Sequence, residues 1–251
     1  MPRIEGTNGG DNLIGTSVDD SIYALGDADF FEAGAGNDHV DLGDGDDLGS
    51  AGPGNDYVDA GNGNDFVDGL DGSDILRGGE GNDSLFGGYQ VNYTGIVDKL
   101  YGDAGNDYLV TSDGNDYLNG GTGQDTLNAG SGNDSLYGEA GNDALLGGGG
   151  NDYLNGGMGQ DSVYGGAGRD TFDFDSAKES KTQTPDIIRD FSGSQRGEGD
   201  VIDLAALNIT SVASLSYTNS VLAANASGGN HIEIFLEGNP PLNLSVDVIL
   251  Q

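Results

Sequence analysis

Gly78–Phe86 reads GGEGNDSLF and Gly147–Asn155 reads GGGGNDYLN. Both are copies of one nine-residue sentence, G-G-x-G-N-D-x-L-x, that recurs in register along most of the chain. Counted from Gly6, blocks start at residues 6, 15, 24, 33, 42, 51, 60, 69 and 78, then at 102 and every ninth residue through 165. The block between them, 87–101, is longer by a six-residue insertion, QVNYTG at Gln90–Gly95. The sixth position is aspartate throughout: Asp11, Asp20, Asp29, Asp38, Asp47, Asp56, Asp65, Asp74, Asp83, Asp98, Asp107, Asp116, Asp125, Asp134, Asp143, Asp152, Asp161 and Asp170. The eighth is apolar in every block but one, where Gly49 stands and Leu48 comes one place early. Position four is glycine except at Val18, Asp27 and Ile96.

Each block has two parts. The first six residues are a turn, because glycine takes positive φ without a Cβ penalty and asparagine tolerates the same region. The last three are a very short strand whose middle residue points opposite to its neighbours. Two blocks, eighteen residues, then make one coil of turn, strand, turn, strand. Stacked coils pair like strands in parallel and set each aspartate beside the one eighteen residues on. One column runs from Asp11 to Asp161 and the other from Asp20 to Asp170. Nine coils at ~4.8 Å make a rod of about 43 Å. The apolar positions (Leu13, Ile22, Phe31, Val40 and onward to Phe172) fill its inside, one side chain per strand.

Composition says what must hold such a rod together. The chain has 43 acidic and 8 basic residues, a formal charge of -35, and 48 glycines in 251 residues. Glycine loses the most backbone entropy on ordering, and like charges repel on compaction. High charge with few apolar residues marks a disordered chain unless a cation supplies the missing free energy. The strict period argues for the cation, since a disordered acidic chain needs no register. Calcium suits stacked carboxylates and turn carbonyls, because it takes six to eight oxygens in adaptable geometry; magnesium demands a tight octahedron. Zinc and copper lack thiolates here and find only His39 among the turns. On the order of 12–16 ions are expected, enough to offset most of the negative charge. The blocks of Asp20, Asp29 and Asp98 depart from the glycine pattern and make poorer sites.

The same charge argues against nucleic acid and anionic membranes as partners. There is no cysteine, so no disulfide or thiolate site exists. No apolar run approaches the ~20 residues of a membrane span, and MPRIEGTNGGDN has no apolar core of a cleavable leader.

This nonapeptide resembles the hemolysin-type calcium-binding repeat of the RTX proteins. The resemblance implies an all-β fold, a right-handed parallel β-roll over 1–173, closed by a β-rich C-terminal cap over 174–251. DIIRDF (186–191), DVIDL (200–204), HIEIFLE (231–237) and LNLSVDVIL (242–250) read as cap strands. The stretch DTFDFDSAKES…DIIRDFSGSQRGEGDVIDLAAL is similar to the segment that closes the roll in serralysin-type proteases and alginate epimerase repeat modules. The family implies export through a type I secretion apparatus, read from an uncleaved C-terminal signal; the ending DVILQ (247–251) resembles that signal. Glu179, nine residues after Asp170, is a candidate for one more site.

No catalytic constellation accompanies the repeats. H-E-x-x-H and G-x-S-x-G are absent, and His39 and His231 have no nucleophile beside them. Repeats that begin at residue 6 leave no room upstream for an enzyme domain. The expectation is therefore a secreted, extracellular, non-enzymatic calcium-binding protein that folds on meeting calcium. The alternative is a polysaccharide-binding module, for which the outward aromatics Tyr23, Phe30, Tyr57, Phe66, Phe86, Tyr101, Tyr108, Tyr117, Tyr137, Tyr153 and Tyr164 are the candidate surface. Ice binding is set aside, because position three carries no ladder of threonine.

Overall fold

Short strands fall where each nonapeptide ends, and successive strands alternate between two sheets. The computed structural model describes residues 1–89, 95–174, 185–191, 199–207, 215–218, 221–225, 231–237 and 248–249. Within them one sheet has 12 strands, from Arg3–Glu5 to Val248–Ile249, and the other has 13, beginning at Asn12–Thr16. Among the described residues there is no α-helix, only a 3-10 turn at Ala205–Leu207. The fold is a parallel β-roll of eighteen-residue coils. Ser21 pairs with His39, and His39 with Tyr57.

The insertion does not disturb the register. Ser84 pairs with Tyr108 and Lys99 with Ile75, twenty-four residues apart. The strand pairing on either side of it is kept.

Eighth-position side chains point inward as the alternation requires; Leu76, Leu85, Leu100, Leu109 and Leu118 are fully buried in one continuous cluster. Each contributes about 1.5–3 kcal/mol by leaving water. The core is wider than one side chain per strand. Ala24, Ala33, Leu42, Ala51, Ala60 and Ala129, all at position one of their blocks, are buried as well. Glycine at the other first positions, apart from the buried Thr111, hides this second row from a reading of the apolar pattern. At the irregular block, Gly49 lies inward between Phe31 and Val67. A Cβ on Gly49 would stand 2.4 Å from the Phe31 ring. The large ring of the coil before fills the place of the missing side chain, and Leu48 turns outward, 49% exposed.

Position four is glycine for two reasons that act together. Gly123 has φ +141, and a Cβ on it would lie 1.5 Å from the carbonyl oxygen of Gly105 in the preceding coil. At this turn the coils stack at sheet spacing because the backbone is bare.

Beyond the last nonapeptide the pairing continues. Asp186–Ile188 pairs in parallel with Ser162–Ala167, and Val201–Asp203 with Thr171–Asp173. His231–Leu236 follows in the second sheet and is joined by Val221–Asn225 and Leu215–Thr218, the antiparallel pairs of the fold. That hairpin is absent from the strands read off the sequence. Of LNLSVDVIL, Val248–Ile249 forms the described strand; Gln90–Thr94, Glu179 and most of the DVILQ ending lie outside the described residues.

Candidate metal centre

The aspartates stand at the end of each turn, one residue before the strand. The 3.8 Å between successive residues and the parallel register therefore bring each one beside its counterpart in the next coil. The two expected columns form. In one, the backbone N–H of Asp38 donates to Oδ1 of Asp56 at 2.7 Å, Asp56 to Asp74 at 2.9 Å, and Asp74 to Asp98 across the insertion at 2.9 Å. In the other, Asp47 donates to Asp65 at 2.8 Å and Asp65 to Asp83 at 2.9 Å. The pattern extends from Asp11 on Asp29 and Asp20 on Asp38 to Asp143 on Asp161 and Asp152 on Asp170.

These carboxylates are buried. From Asp29 to Asp170 none is more than 4% exposed. Oδ1 is satisfied by the neighbouring coil, whereas Oδ2 of Asp29, Asp38, Asp47, Asp56, Asp65, Asp74 and Asp83, and of Asp107 through Asp170 at each ninth residue, has no hydrogen-bond partner. An unpaired buried carboxylate oxygen is costly. Burial is the largest influence on these groups. Removal from water outweighs the backbone hydrogen bond and pushes Asp56, Asp65, Asp98, Asp107, Asp134 and Asp170 up to about 7. Asp74 and Asp143 are pushed up to about 8, with neighbouring aspartates adding repulsion.

Among the described residues no basic side chain pairs with them. Arg77 is taken by Asp103 at 2.9 Å on the outer face, and Arg3 pairs with Glu5. Among the described residues no three acidic or histidine side chains converge. A cation here would take a carboxylate oxygen from the column and complete its shell with turn carbonyls, which suits a hard ion with adaptable coordination. The bare oxygens and the carbonyl-rich turns fit that ion.

Two blocks differ. Oδ2 of Asp11 accepts the N–H and hydroxyl of Thr7 at 2.6 and 2.9 Å. Oδ2 of Asp20 accepts the same groups of Thr16 at 2.6 and 2.8 Å. Their Oδ2 atoms are satisfied within the turn. Oδ1 of Asp20 is the bare one, since the residue eighteen places before it is Pro2, which has no N–H.

A second ladder escaped the sequence reading. The fifth-position side chain accepts the N–H of the same position one coil later: Asn37 from Asn55, Asn64 from Asn82, Asn82 from Asn106, and Asn133 from Asn151, at 2.7–3.0 Å. It runs opposite to the aspartate ladder, so each turn is tied to both neighbours. The signal was the N of G-N-D, which reads equally well as a residue tolerating a turn. Also missed were Asp186 and Asp200, which accept the N–H groups of Asp161 and Asp170 at 2.9 and 3.0 Å. The Asp-x-Ile spacing they share with the repeat was the available sign.

The outward aromatics divide between the sheets. Tyr101, Tyr117, Tyr137 and Tyr153 line one sheet with centroids 5.4–5.6 Å apart. Phe66, Phe86 and Tyr108 line the other. The rings pack on one another as cross-strand neighbours do. His39 lies between Tyr23 and Tyr57 as a strand surface residue; the side chain of His231 lies outside the described residues.

Comparison with known proteins finds two solved structures and one family similar to this chain. The solution structure of the AlgE6R3 subunit of the Azotobacter vinelandii mannuronan C5-epimerase is 28% identical over 55% of this chain and 79% of its own, with a TM-score of 0.29. The extracellular lipase LipA of Serratia marcescens is 16% identical over 100% of this chain, which spans 40% of the lipase, with a TM-score of 0.24. No curated protein matches the sequence. The profile of the RTX calcium-binding nonapeptide repeat (four copies) matches residues 5–40, 41–76, 68–90, 96–127, 110–145, 119–154 and 137–172. With most of its length so matched and its coils so built, the chain belongs to the RTX calcium-binding nonapeptide repeat family.

Proposed function

We propose that calcium lines the two aspartate columns and that its binding folds the chain once it has been exported. The observation that carries this reading is the row of buried carboxylates from Asp29 to Asp170, each with Oδ1 held by the preceding coil and, at all but Asp98, with Oδ2 bare. Asp29, Asp38, Asp47, Asp56, Asp65, Asp74, Asp83, Asp98, Asp107, Asp116, Asp125, Asp134, Asp143, Asp152, Asp161 and Asp170 hold the ions together with turn carbonyls. Asp11 and Asp20 are weaker holders, because Thr7 and Thr16 already engage them. The ions supply the positive charge that the chain's -35 lacks. Calcium binding free energy is then folding free energy.

At cytoplasmic calcium the chain stays unfolded, a form that can thread a secretion channel. Outside, at about 10⁻⁴–10⁻³ M, the range of extracellular modules, it folds. The C-terminal resemblance to exported RTX proteins supports a type I route. The protein acts as a structural or interaction module rather than an enzyme, since its carboxylates are committed to the columns. A calcium titration of the metal-free chain followed by far-ultraviolet circular dichroism, with magnesium as control, tests this. A steep coil-to-β transition with calcium alone is expected. A chain already folded without metal, or folded equally by magnesium, overturns the proposal.

A second reading is polysaccharide binding. It is favoured by a cleft of about 400 Å³ on the second sheet, where Phe86 and Tyr89 stand among Asp68, Asn128, Ser112 and Ser131. Aromatic faces with hydroxyl and carboxylate neighbours are the groups that hold sugars. Loss of glycan retention on Phe86→Ala with calcium folding intact would support it.

A further inference from the structure

By the eighteen-residue rule the columns should pass from Asp161 to residue 179 and from Asp170 to residue 188. Residue 188 is an isoleucine that lies fully buried in the core, so that path ends. The chain instead brings up Asp186 and Asp200, twenty-five and thirty residues on. Asp161 donates its N–H to Oδ1 of Asp186 at 2.9 Å, and Asp170 to Oδ1 of Asp200 at 3.0 Å. Both acceptors are 2% exposed. Asp186 begins the strand Asp186–Ile188 and Asp200 stands one residue before Val201–Asp203; in both, the residue after the aspartate lies opposite the residue after the roll's aspartate, Ile187 opposite Ser162 and Val201 opposite Thr171. This is the relation that every aspartate in the roll has to the next. On the roll side of both junctions, Oδ2 of Asp161 and Oδ2 of Asp170 are buried, at 1% and 0% residue exposure, and have no partner.

A neighbouring group marks where the pattern stops. Inside the roll, the N–H of a position-one glycine finds a carbonyl of the next coil, as Gly69 finds Phe86 at 2.8 Å. At the last nonapeptide, Gly165 and Gly166 instead donate to the two oxygens of Asp190 at 3.0 and 2.9 Å. Asp190 thus closes the backbone edge, while Asp186 and Asp200 prolong the acidic columns by one coil beyond the residues that carry the nonapeptide pattern.

We infer that the cation-holding turns run on through Asp186 and Asp200, so that calcium fastens the C-terminal segment to the roll. This rests on the proposal that calcium occupies the columns. Asp186 and Asp200 complete the sites opened by Asp161 and Asp170, and calcium is the probe. The fastening is separable from the folding of the roll, because fifteen coil-to-coil aspartate contacts from Asp20 to Asp170 do not involve either residue.

The test uses the full chain. It contains no tryptophan, and Phe191 is 5% exposed with its ring 6.0 Å from Phe172. Phe191→Trp therefore reports docking of this segment on the roll. In that background, circular dichroism reads the roll and tryptophan emission reads the segment, each against calcium. Bound calcium is counted by equilibrium dialysis on the chain without the tryptophan. Asp186→Asn with Asp200→Asn keeps an oxygen to accept each N–H, so a merely structural role predicts no change in ion count. The expected result is a nearly unchanged dichroism transition, about two fewer ions by the count of sites, and an emission transition moved to severalfold higher calcium. An unchanged ion count with an unmoved emission midpoint overturns the inference. If the unsubstituted chain shows no calcium transition in dichroism at all, the parent proposal fails first, and the two failures are told apart.

Discussion

Asp56 gives its backbone N–H to Oδ1 of Asp74 at 2.9 Å, and Oδ2 of Asp74 is left buried without a partner. One carboxylate thus serves as a staple between coils and as half of a cation site. The two roles respond differently to substitution. Asp74→Asn keeps an acceptor for Asp56 but removes the charge. With calcium, affinity at that turn should fall on the order of tenfold or more, and the folding midpoint should rise. Without calcium, the same variant should hold more β structure than the parent, because a buried charge is gone. Asp74→Ala also strands the Asp56 N–H and should cost a further ~1–3 kcal/mol. Parallel titrations of the three proteins check this; an Asn variant weaker in both conditions would sink the charge argument.

The pH dependence of the metal-free chain follows from the same burial. The folded carboxyls are raised from 3.8 to about 6 at Asp47, Asp83 and Asp161, about 7 at Asp56 and Asp65, and about 8 at Asp74 and Asp143. The folded state therefore binds more protons than the unfolded one between these values, and its stability falls as pH rises. The contribution is complete below about 3.8 and is lost as pH climbs through 6 to 8. Metal-free protein should gain β signal on acidification from pH 8 to 5, and saturating calcium should flatten the profile. Circular dichroism at fixed low ionic strength measures it; a metal-free signal that grows with pH contradicts the burial.

Glycine is required by position rather than by abundance. Gly123→Ala meets both φ +141 and a carbonyl 1.5 Å from the new Cβ. It should cost on the order of 3 kcal/mol or more. Gly149, at position three of its block, has nothing within 4 Å of a Cβ, so Gly149→Ala should stay within about 0.5 kcal/mol of the parent. Denaturant midpoints in saturating calcium separate the two. Equal costs would mean that general chain stiffness, not coil stacking, places the glycines.

The sheet order, the register and both aspartate columns were legible because one period governs them all. Residues that leave the period were not. Asp186 and Asp200 follow spacings of 25 and 30, so no column arithmetic reaches them. The hairpin of Leu215–Thr218 and Val221–Asn225 lacks the repeat altogether and pairs antiparallel. The asparagine ladder and the capture of Asp11 by Thr7 depend on which way a side chain turns. Residue identity leaves that choice open, since asparagine and threonine serve as turn residues without any ladder.

The core carries one such choice at its irregular block. Phe31 is fully buried, and its ring covers the space that a side chain at Gly49 would occupy. Phe31→Ala then removes the packing of two coils at once, because Leu48 faces solvent and cannot turn in without shifting the strand register. The loss should reach about 3–5 kcal/mol, toward the upper end of the ~2–5 kcal/mol expected for Leu118→Ala in a regular coil. Gly49→Val does not offer the alternative filling, since its Cβ would lie 2.1 Å from the Phe31 carbonyl oxygen as well as against the ring. Denaturant midpoints in saturating calcium for Phe31→Ala, Gly49→Val and the double variant test this. Recovery in the double variant would show that ring volume alone excludes a side chain at position 49; continued loss would assign the exclusion to the backbone.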